Sequence, residues 1–340
     1  PVGPVNINNV EACIGRGLSA IRVKDNFSMQ YVFSFLTIPE IKIANLGVGS
    51  TFTAITQKDL KNLIIPTPDY PTQLHIANIL SKAESFIAQR KESIRLLDEY
   101  LKSVFLEMFG DPVRNEKKWE KRPFSELVAP DCPLTYGIVQ PGNDFENGIP
   151  VIRPVDLTDT YVTRKGLKLI DPKISEQFKR TLLNGGELLM CVRGTTGVVS
   201  IAAKEVAGCN VTRGITPIWF SNNYNSLFAY SLFKTQAINN RIQELTYGAT
   251  LKQINLGDLR KIELINPPLE LQTKFAQITE KTEAIKAQDQ QSIQELENLY
   301  GSLSQKAFKG ELSIKDEILL SSAELSRSMA AEPETKYGEK

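Results

Sequence analysis

The chain has 340 residues, 41% of them hydrophobic and 23% charged, with a net charge of +1. That mix excludes disorder throughout and leaves room for two domains with cores of their own. No run approaches the roughly 20 apolar residues of a membrane span, and PVGPVNINNV has neither the basic nor the apolar part of a secretory signal, so the chain reads as cytoplasmic, without a membrane partner. It begins at Pro1 rather than Met, which leaves room for an earlier start.

Charge is unevenly spread: residues 113–268 hold 20 Lys and Arg against 15 Asp and Glu, whereas 311–340 hold 4 against 7. The net charge neither demands nor forbids a nucleic-acid partner, and the basic excess sits in the middle of the chain. Cys13, Cys132, Cys191 and Cys209 are far apart with no C-x-x-C, and His75 is the only histidine, so a Cys/His zinc site has no ligand set. The cysteines read as buried thiols of a reducing compartment. A histidine-based catalytic triad is excluded unless His75, on a charged helix, is itself the base.

In chain order, the first informative stretch is GSTFTAITQKDLKNLIIPTPDYPTQ from Gly49, matched by GATLKQINLGDLRKIELINPPLELQ from Gly248. A shift of 199 residues aligns Gly49 with Gly248, Thr51 with Thr250, Ile55 with Ile254 and Asp59-Leu60 with Asp258-Leu259, and runs on without a gap through Gln73 and Gln272 to Phe109 and Phe308. This is a duplicated unit. Upstream the likeness loosens: GPVNINN at Gly3 resembles GVVSIAA at Gly197, and Arg16-Gly17 resembles Arg213-Gly214. Residues 113 to about 194 have no counterpart before Pro1. LKNLIIPTP and LRKIELINPP read as strands stopped by proline.

From Pro71 to Phe109 the apolar period changes. Leu80, Ala83, Ile87, Arg90, Ile94, Leu97, Leu101, Val104 and Met108 form a heptad seam with one polar interruption. The second helix, about Leu269 to Phe308, offers Ile278, Thr282, Ile285, Asp289, Ile293, Leu296, Tyr300, Leu303 and Ala307, and each helix meets a glycine stop, Gly110 and Gly310. At about 1.5 Å per residue each is roughly 58 Å long, more than one domain needs, so both are expected as rods pairing antiparallel. Arg90 and Asp289 are equivalent under the repeat; they either meet near a pseudo-two-fold axis, where an opposite-charge pair sets the helix register, or stand as two separately solvated charges.

Catalytic signatures are missing. There is no G-x-x-x-x-G-K-[ST], NLGVGS lacks a dinucleotide loop's third glycine, and no paired metal carboxylates stand on a nuclease frame. Asn266-Pro267-Pro268-Leu269 resembles the N-P-P-aromatic motif of amino-methyltransferases, but its aromatic is a leucine, and it reads as a strand terminator. Two domains on a rod fit a reader of separated half-sites on a duplex. The candidate DNA-binding residues are polar groups on loops: Tyr136, Gln140, Arg153, Arg164, Lys165, Lys179, Arg180, Arg193, Thr195, Arg213, Lys252 and Gln253. Arg and Gln can bond bidentately to base edges, and Lys and Thr hold phosphates.

IPVIRPVDL, GGELLMCVRGTTG, GATLKQINLGDLRKIELINPPLELQ and LLDEYLKSVFLEMFGDP together resemble type I restriction-modification specificity (S) subunits over nearly the whole chain. The resemblance implies an α+β fold, with mixed α/β target recognition domains joined by long helices that form an antiparallel coiled coil with a pseudo-two-fold internal repeat. On that pattern, 1–69 is the C-terminal part of a first recognition domain, 70–110 the first spacer helix, 111–268 a complete second recognition domain, 269–310 the second spacer helix and 311–340 a polar tail. It also implies a non-catalytic subunit without a cofactor or metal, reading a bipartite site on double-stranded DNA. Two methyltransferase (M) subunits would dock on it, and restriction (R) subunits would join through the complex. The short first domain departs from the pattern and leaves self-association through the helices open. The rival readings are a nuclease or methyltransferase acting alone, a coiled-coil adaptor that binds no DNA, and the recognition part of a combined restriction and methylation enzyme.

Overall fold

The computed structural model describes residues 3–38, 54–249 and 251–312. In chain order the elements are α1 (Met29–Thr37), α2 (Gln57–Lys61), α3 (Tyr70–Phe109), β1 (Lys121–Pro123), α4 (Phe124–Leu127), β2 (Ile149–Ile152), β3 (Tyr161–Val162), β4 (Lys168–Ile170), α5 (Pro172–Glu176), β5 (Leu188–Cys191) and β6 (Val199–Ala202). There follow β7 (Asn210–Val211), β8 (Ile215–Ile218), α6 (Ser226–Lys234), α7 (Gln236–Glu244), β9 (Thr246–Tyr247), β10 (Gln253–Ile254), α8 (Leu256–Leu259), β11 (Glu263–Ile265) and α9 (Leu269–Lys309). The chain is α+β and divides into two compact units, Pro1–Ile94 with Ala287–Lys340, and Arg95–Lys286.

In the second unit, a four-stranded sheet of order β3-β6-β5-β8 faces a three-stranded sheet of order β4-β2-β7. Side chains of a strand alternate between faces. Leu188 and Met190 of β5 accordingly enter a core built on α6 and the ends of the long helices, while Leu189 and Cys191 enter the core shared with Ile152 and Val211. All four are buried, as befits a central strand covered on both faces. An aromatic cluster ties the long helices to this domain: Phe109 lies 4.7 Å from Phe228 and 5.6 Å from Phe275 between ring centroids. In the first unit, Phe308, the repeat equivalent of Phe109, lies 5.1 Å from Tyr31 and 5.3 Å from Phe35 of α1.

The junction between each long helix and its domain is built twice from the same chemistry. Gln73 is buried; its Oε1 accepts from the backbone of Ser28, the N-cap of α1, at 2.9 Å, and its Nε2 donates to the Pro68 carbonyl at 2.9 Å. Gln272 accepts from the backbone of Asn225, the N-cap of α6, at 2.9 Å and donates to the Pro267 carbonyl at 2.8 Å. A second carbonyl is served by tyrosines from non-equivalent places. Tyr31 donates to Pro66 O and Tyr224 to Ile265 O, each at 3.0 Å, and residues 66 and 265 are one repeat apart. Burial pushes the Tyr31 hydroxyl up to about 12 and that of Tyr224 well above its ordinary value, so both stay protonated donors.

The helices run antiparallel in each unit. In the first, Tyr300 donates to Glu84 at 2.8 Å, Lys91 meets Glu297 at 3.0 Å, and Arg90 Nη1 lies 3.1 Å from Asp289 Oδ1. The Asp289 side chain is 8% exposed and that of Arg90 25%, and Asp289 Oδ2 has no partner among the described residues, so a largely buried polar pair stands in the seam. In the second unit Lys286 Nζ bonds Asp98 at 2.8 Å and Glu283 at 2.9 Å. Burial alone would lower its pKa, but the two carboxylates outweigh it and raise the ammonium above its ordinary value. Gly110 and Gly310, at φ +74° and +77°, end the helices in a conformation that side chains with a Cβ disfavour.

Three expectations differ from the structure. LKNLIIPTP forms no strand: it holds the end of α2 and then extended chain, whereas its repeat partner supplies β11. The reason is pairing, because β11 is laddered to β1, and the described residues of the first copy hold no counterpart of β1. The sequence likeness of GPVNINN to GVVSIAA does not extend to structure: GVVSIAA holds β6, which draws its hydrogen bonds from β3 and β5, and GPVNINN holds no strand. Cys13 is exposed and Cys132 half-buried, because no regular element covers residues 3–27 and Cys132 sits at a surface turn; Cys191 and Cys209 are the buried thiols. Ile285 is 47% exposed, and the stem of Lys286 takes its place in the seam, which then steps 282, 286, 289, 293. Gly49, Thr51, Thr250 and the tail beyond 312 lie outside the described residues.

Replacing Gln272 with alanine strands a buried N–H and a buried carbonyl, and should cost about 2–4 kcal/mol, read as a lower urea midpoint by the fluorescence of Trp119 and Trp219. Asp289→Ala should cost about 1–3 kcal/mol by leaving Arg90 half-buried without its counter-charge, and the Arg90→Leu/Asp289→Leu pair should recover most of it in thermal unfolding followed by helix ellipticity.

Candidate nucleic-acid interface

Four backbone segments meet at one end of the second unit. The strand β5 runs out at Cys191 into the turn Arg193-Gly194-Thr195-Thr196-Gly197, where Gly194 and Gly197 have φ +88° and +87°, values that favour glycine. The Arg193 backbone N–H donates to Gly214 O at 3.3 Å, and the Gly194 N–H to Lys252 O at 2.8 Å. Arg193 also faces Gln253 in an antiparallel bridge. The Arg213 N–H donates to Ile138 O at 2.7 Å, and the Tyr136 hydroxyl to Ile254 O at 3.4 Å. A Cβ at Gly137 would stand 2.0 Å from Val211 O, so that segment lies flush against β7 because residue 137 is glycine. Tyr136, Gln140, Arg193, Thr195, Arg213, Lys252 and Gln253 are thereby gathered on neighbouring loops.

The cluster is rigid and cationic. Cys191 Sγ lies 3.2 Å from Arg193 O and 3.4 Å from Thr195 Oγ1, and Thr246 Oγ1 donates to Thr196 Oγ1 at 3.1 Å, pinning the turn to β9. Arg213 and Lys252 are exposed, and among the described residues no carboxylate pairs with either. Arg193 is half-buried, and its Nη1 is buried with no hydrogen-bond partner. Buried donors are nearly always satisfied, so this one marks a place where an acceptor is missing.

The remaining candidates lie elsewhere or are already engaged. Arg153 borders the cluster, since Pro154 would be 2.6 Å from a Cβ on Gly214, but its guanidinium holds Asp156 at 2.9 and 3.1 Å, and that bond raises its pKa. Arg164 bonds the Glu205 carbonyl, and the Ala207 carbonyl at 2.8 Å, and so braces a turn. Lys165 is exposed beside it. Lys179 and Arg180 line a cleft of about 540 Å³ with Asp131, Pro133, Leu182, Asn184 and Trp219. Trp219 follows the end of β8 farther from Arg193, because Cys191 pairs with Ile215 and Leu188 with Ile218. The cleft therefore belongs to the other end of the sheet.

The same loops also carry exposed apolar side chains that polarity does not mark: Val139, Val198, Leu251 and Tyr247, the last 51% exposed. The signal was present in YGATLKQ, where an aromatic and a leucine flank a turn. Among the described residues no group of three His, Cys, Asp or Glu could hold a metal ion, and no helix is long and apolar enough to cross a membrane.

Comparison with known proteins agrees with this architecture. The chain resembles the EcoBI specificity subunit of a type I restriction enzyme from Escherichia coli, 23% identical over 293 residues that cover 77% of this chain and 61% of that one, so it spans about three fifths of that relative's length. It is also 23% identical to the MjaIX specificity subunit of a type I restriction enzyme from Methanocaldococcus jannaschii over 347 residues, 93% of this chain and 76% of the relative. Among solved structures, the type I restriction-modification system S subunit from M. genitalium shares the fold with a TM-score of 0.52 at 16% identity, covering 83% of this chain and 73% of that one. The sequence profile of the type I restriction modification DNA specificity domain matches residues 1–96 and 117–298, most of the chain, and the protein belongs to that family.

Proposed function

We propose that this chain is a non-catalytic, sequence-specific DNA-binding subunit of a type I restriction-modification complex. The observation that carries the reading is the convergence of Arg193, Arg213, Lys252, Gln253 and Tyr136 on one loop cluster whose cations lack carboxylate partners. Such a surface meets a polyanion through Arg213 and Lys252 and leaves Arg193 and Gln253 for base edges. The second recognition domain, 111–268, carries this cluster, and 1–69 supplies part of a first. The helices 70–110 and 269–310 act as the spacer between two half-sites and as the docking surface for methyltransferase subunits. The Arg90 and Asp289 pair fixes the register of that spacer, since a one-turn slip would bury each charge alone. Lys179, Arg180, Arg164 and Lys165 are reassigned to other surfaces.

The test is retention of random duplexes by the chain, with and without a cognate methyltransferase subunit, followed by sequencing. A motif in two parts with a fixed gap supports two readers; one short half-site restricts reading to 111–268; no enrichment with the partner present overturns the proposal in favour of a coiled-coil adaptor. Lys252→Ala should weaken binding of all sequences alike and lower the slope of log affinity against log salt by about 1.

A further inference from the structure

Beyond the general DNA reading, on which this inference rests, three side chains of the loop cluster stand in one row. Gln253 is directly opposite Arg193 in an antiparallel bridge and directly opposite Tyr247 in the β9-β10 pair. Residues opposed across antiparallel strands project from the same face. With strands about 4.8 Å apart, the order Arg193, Gln253, Tyr247 spans about 10 Å, close to three base-pair steps of about 3.4 Å. A ribbon of this width enters a major groove about 12 Å across.

None of the three side chains is spent on the protein. Arg193 Nη1 is buried without an acceptor, and neither the Gln253 amide nor the Tyr247 hydroxyl bonds another group among the described residues. Four other arginines are engaged by the protein itself: Arg153 holds Asp156, Arg164 holds two carbonyls, Arg260 holds the carbonyls of Pro133 and Leu134, and Arg90 holds Asp289. The Arg193 backbone, by comparison, is fixed on every side, by Gly214, Gln253 and Cys191. A guanidinium carried on a fixed backbone, its Nη1 without an acceptor, next to a free amide, is complementary to adjacent purines. Arginine bonds guanine O6 and N7, and glutamine bonds adenine N6 and N7.

We propose that Arg193, Gln253 and Tyr247 form a reading row for a short major-groove step, in which Arg193 takes a guanine, Gln253 an adenine within about two base pairs of it, and Tyr247 an apolar edge at the end of the row. Arg213 and Lys252 hold the flanking phosphates.

The experiment sequences the duplexes retained from a random pool by the unaltered chain and by Arg193→Gln, Arg193→Lys and Gln253→Ala, with thermal unfolding of each. Expected is a G·C pair with an A·T pair within about two base pairs of it in the unaltered motif. Arg193→Gln should lose the guanine preference at that one pair by about tenfold or more, and Arg193→Lys should keep part of it. Gln253→Ala should relax the neighbouring pair alone. Uniform loss of retention with an unaltered motif means a phosphate clamp or a merely structural role, and overturns the row. So does relaxation by the two variants at positions a helical turn apart. An unaltered chain that enriches no sequence overturns the DNA reading itself, a result distinct from failure of the row alone.

Discussion

A buried backbone amide must find an acceptor, and at the junction of helix and domain this chain meets that demand with a side-chain amide. Gln73 and Gln272 each stand in the first turns of a long helix, accept from the N-cap of a second helix and donate to a prolyl carbonyl five residues upstream. The proline explains the need. It ends the preceding extended segment, starts the turn into the helix and leaves a carbonyl that no regular ladder serves. One planar amide, with a donor and an acceptor on one group, closes both gaps and sets the direction in which the helix leaves its domain.

From that junction the seam of each long helix is committed to a partner. The residues beyond Gln73 that pack with Leu303 and Ala307, and those beyond Gln272 that pack with Phe105 and Phe109, belong to antiparallel pairs held by aromatic and aliphatic contacts. Apolar contacts set affinity but tolerate sliding. Charged groups in the seam do not: Lys286, which keeps Glu283 on its own helix, also meets Asp98 across the pair, Asp289 meets Arg90, and a shifted register would lose both cross-helix contacts and leave Asp289 buried without a counter-charge.

The loop cluster depends on the sheet in the same way. Because β5 is buried on both faces, its end is a firm base, and the turn at Arg193–Gly197 inherits that rigidity through hydrogen bonds to Gly214, Lys252 and Thr246. Such a platform holds its side chains in place, which lowers the ordering cost of binding any partner. Polar residues that stood as equals in the sequence are sorted by it: Arg153 and Arg164 turn inward to brace the chain, Lys179 and Arg180 fall at the far end, and Tyr247, which polarity alone did not mark, joins the row.

Much was legible before any coordinates. The repeat, the span of both long helices to within a residue or two, their glycine stops and the two equivalent polar seam positions are periodic features, and periodicity is written in one dimension. What the sequence could not decide was whatever depends on a partner distant along the chain. LKNLIIPTP has the composition of a strand but no ladder partner such as β1 gives β11, so it stays extended coil after α2. The seam admits either Ile285 or Lys286, and only Asp98 across the helix pair selects the lysine. The row of Arg193, Gln253 and Tyr247 likewise joins residues up to sixty positions apart, and strand pairing alone brings them to one face. Local pattern determined the elements, because helix propensity and period act within a few residues; tertiary pairing determined which side chains are free to act, because burial and hydrogen-bond satisfaction are properties of the packed chain.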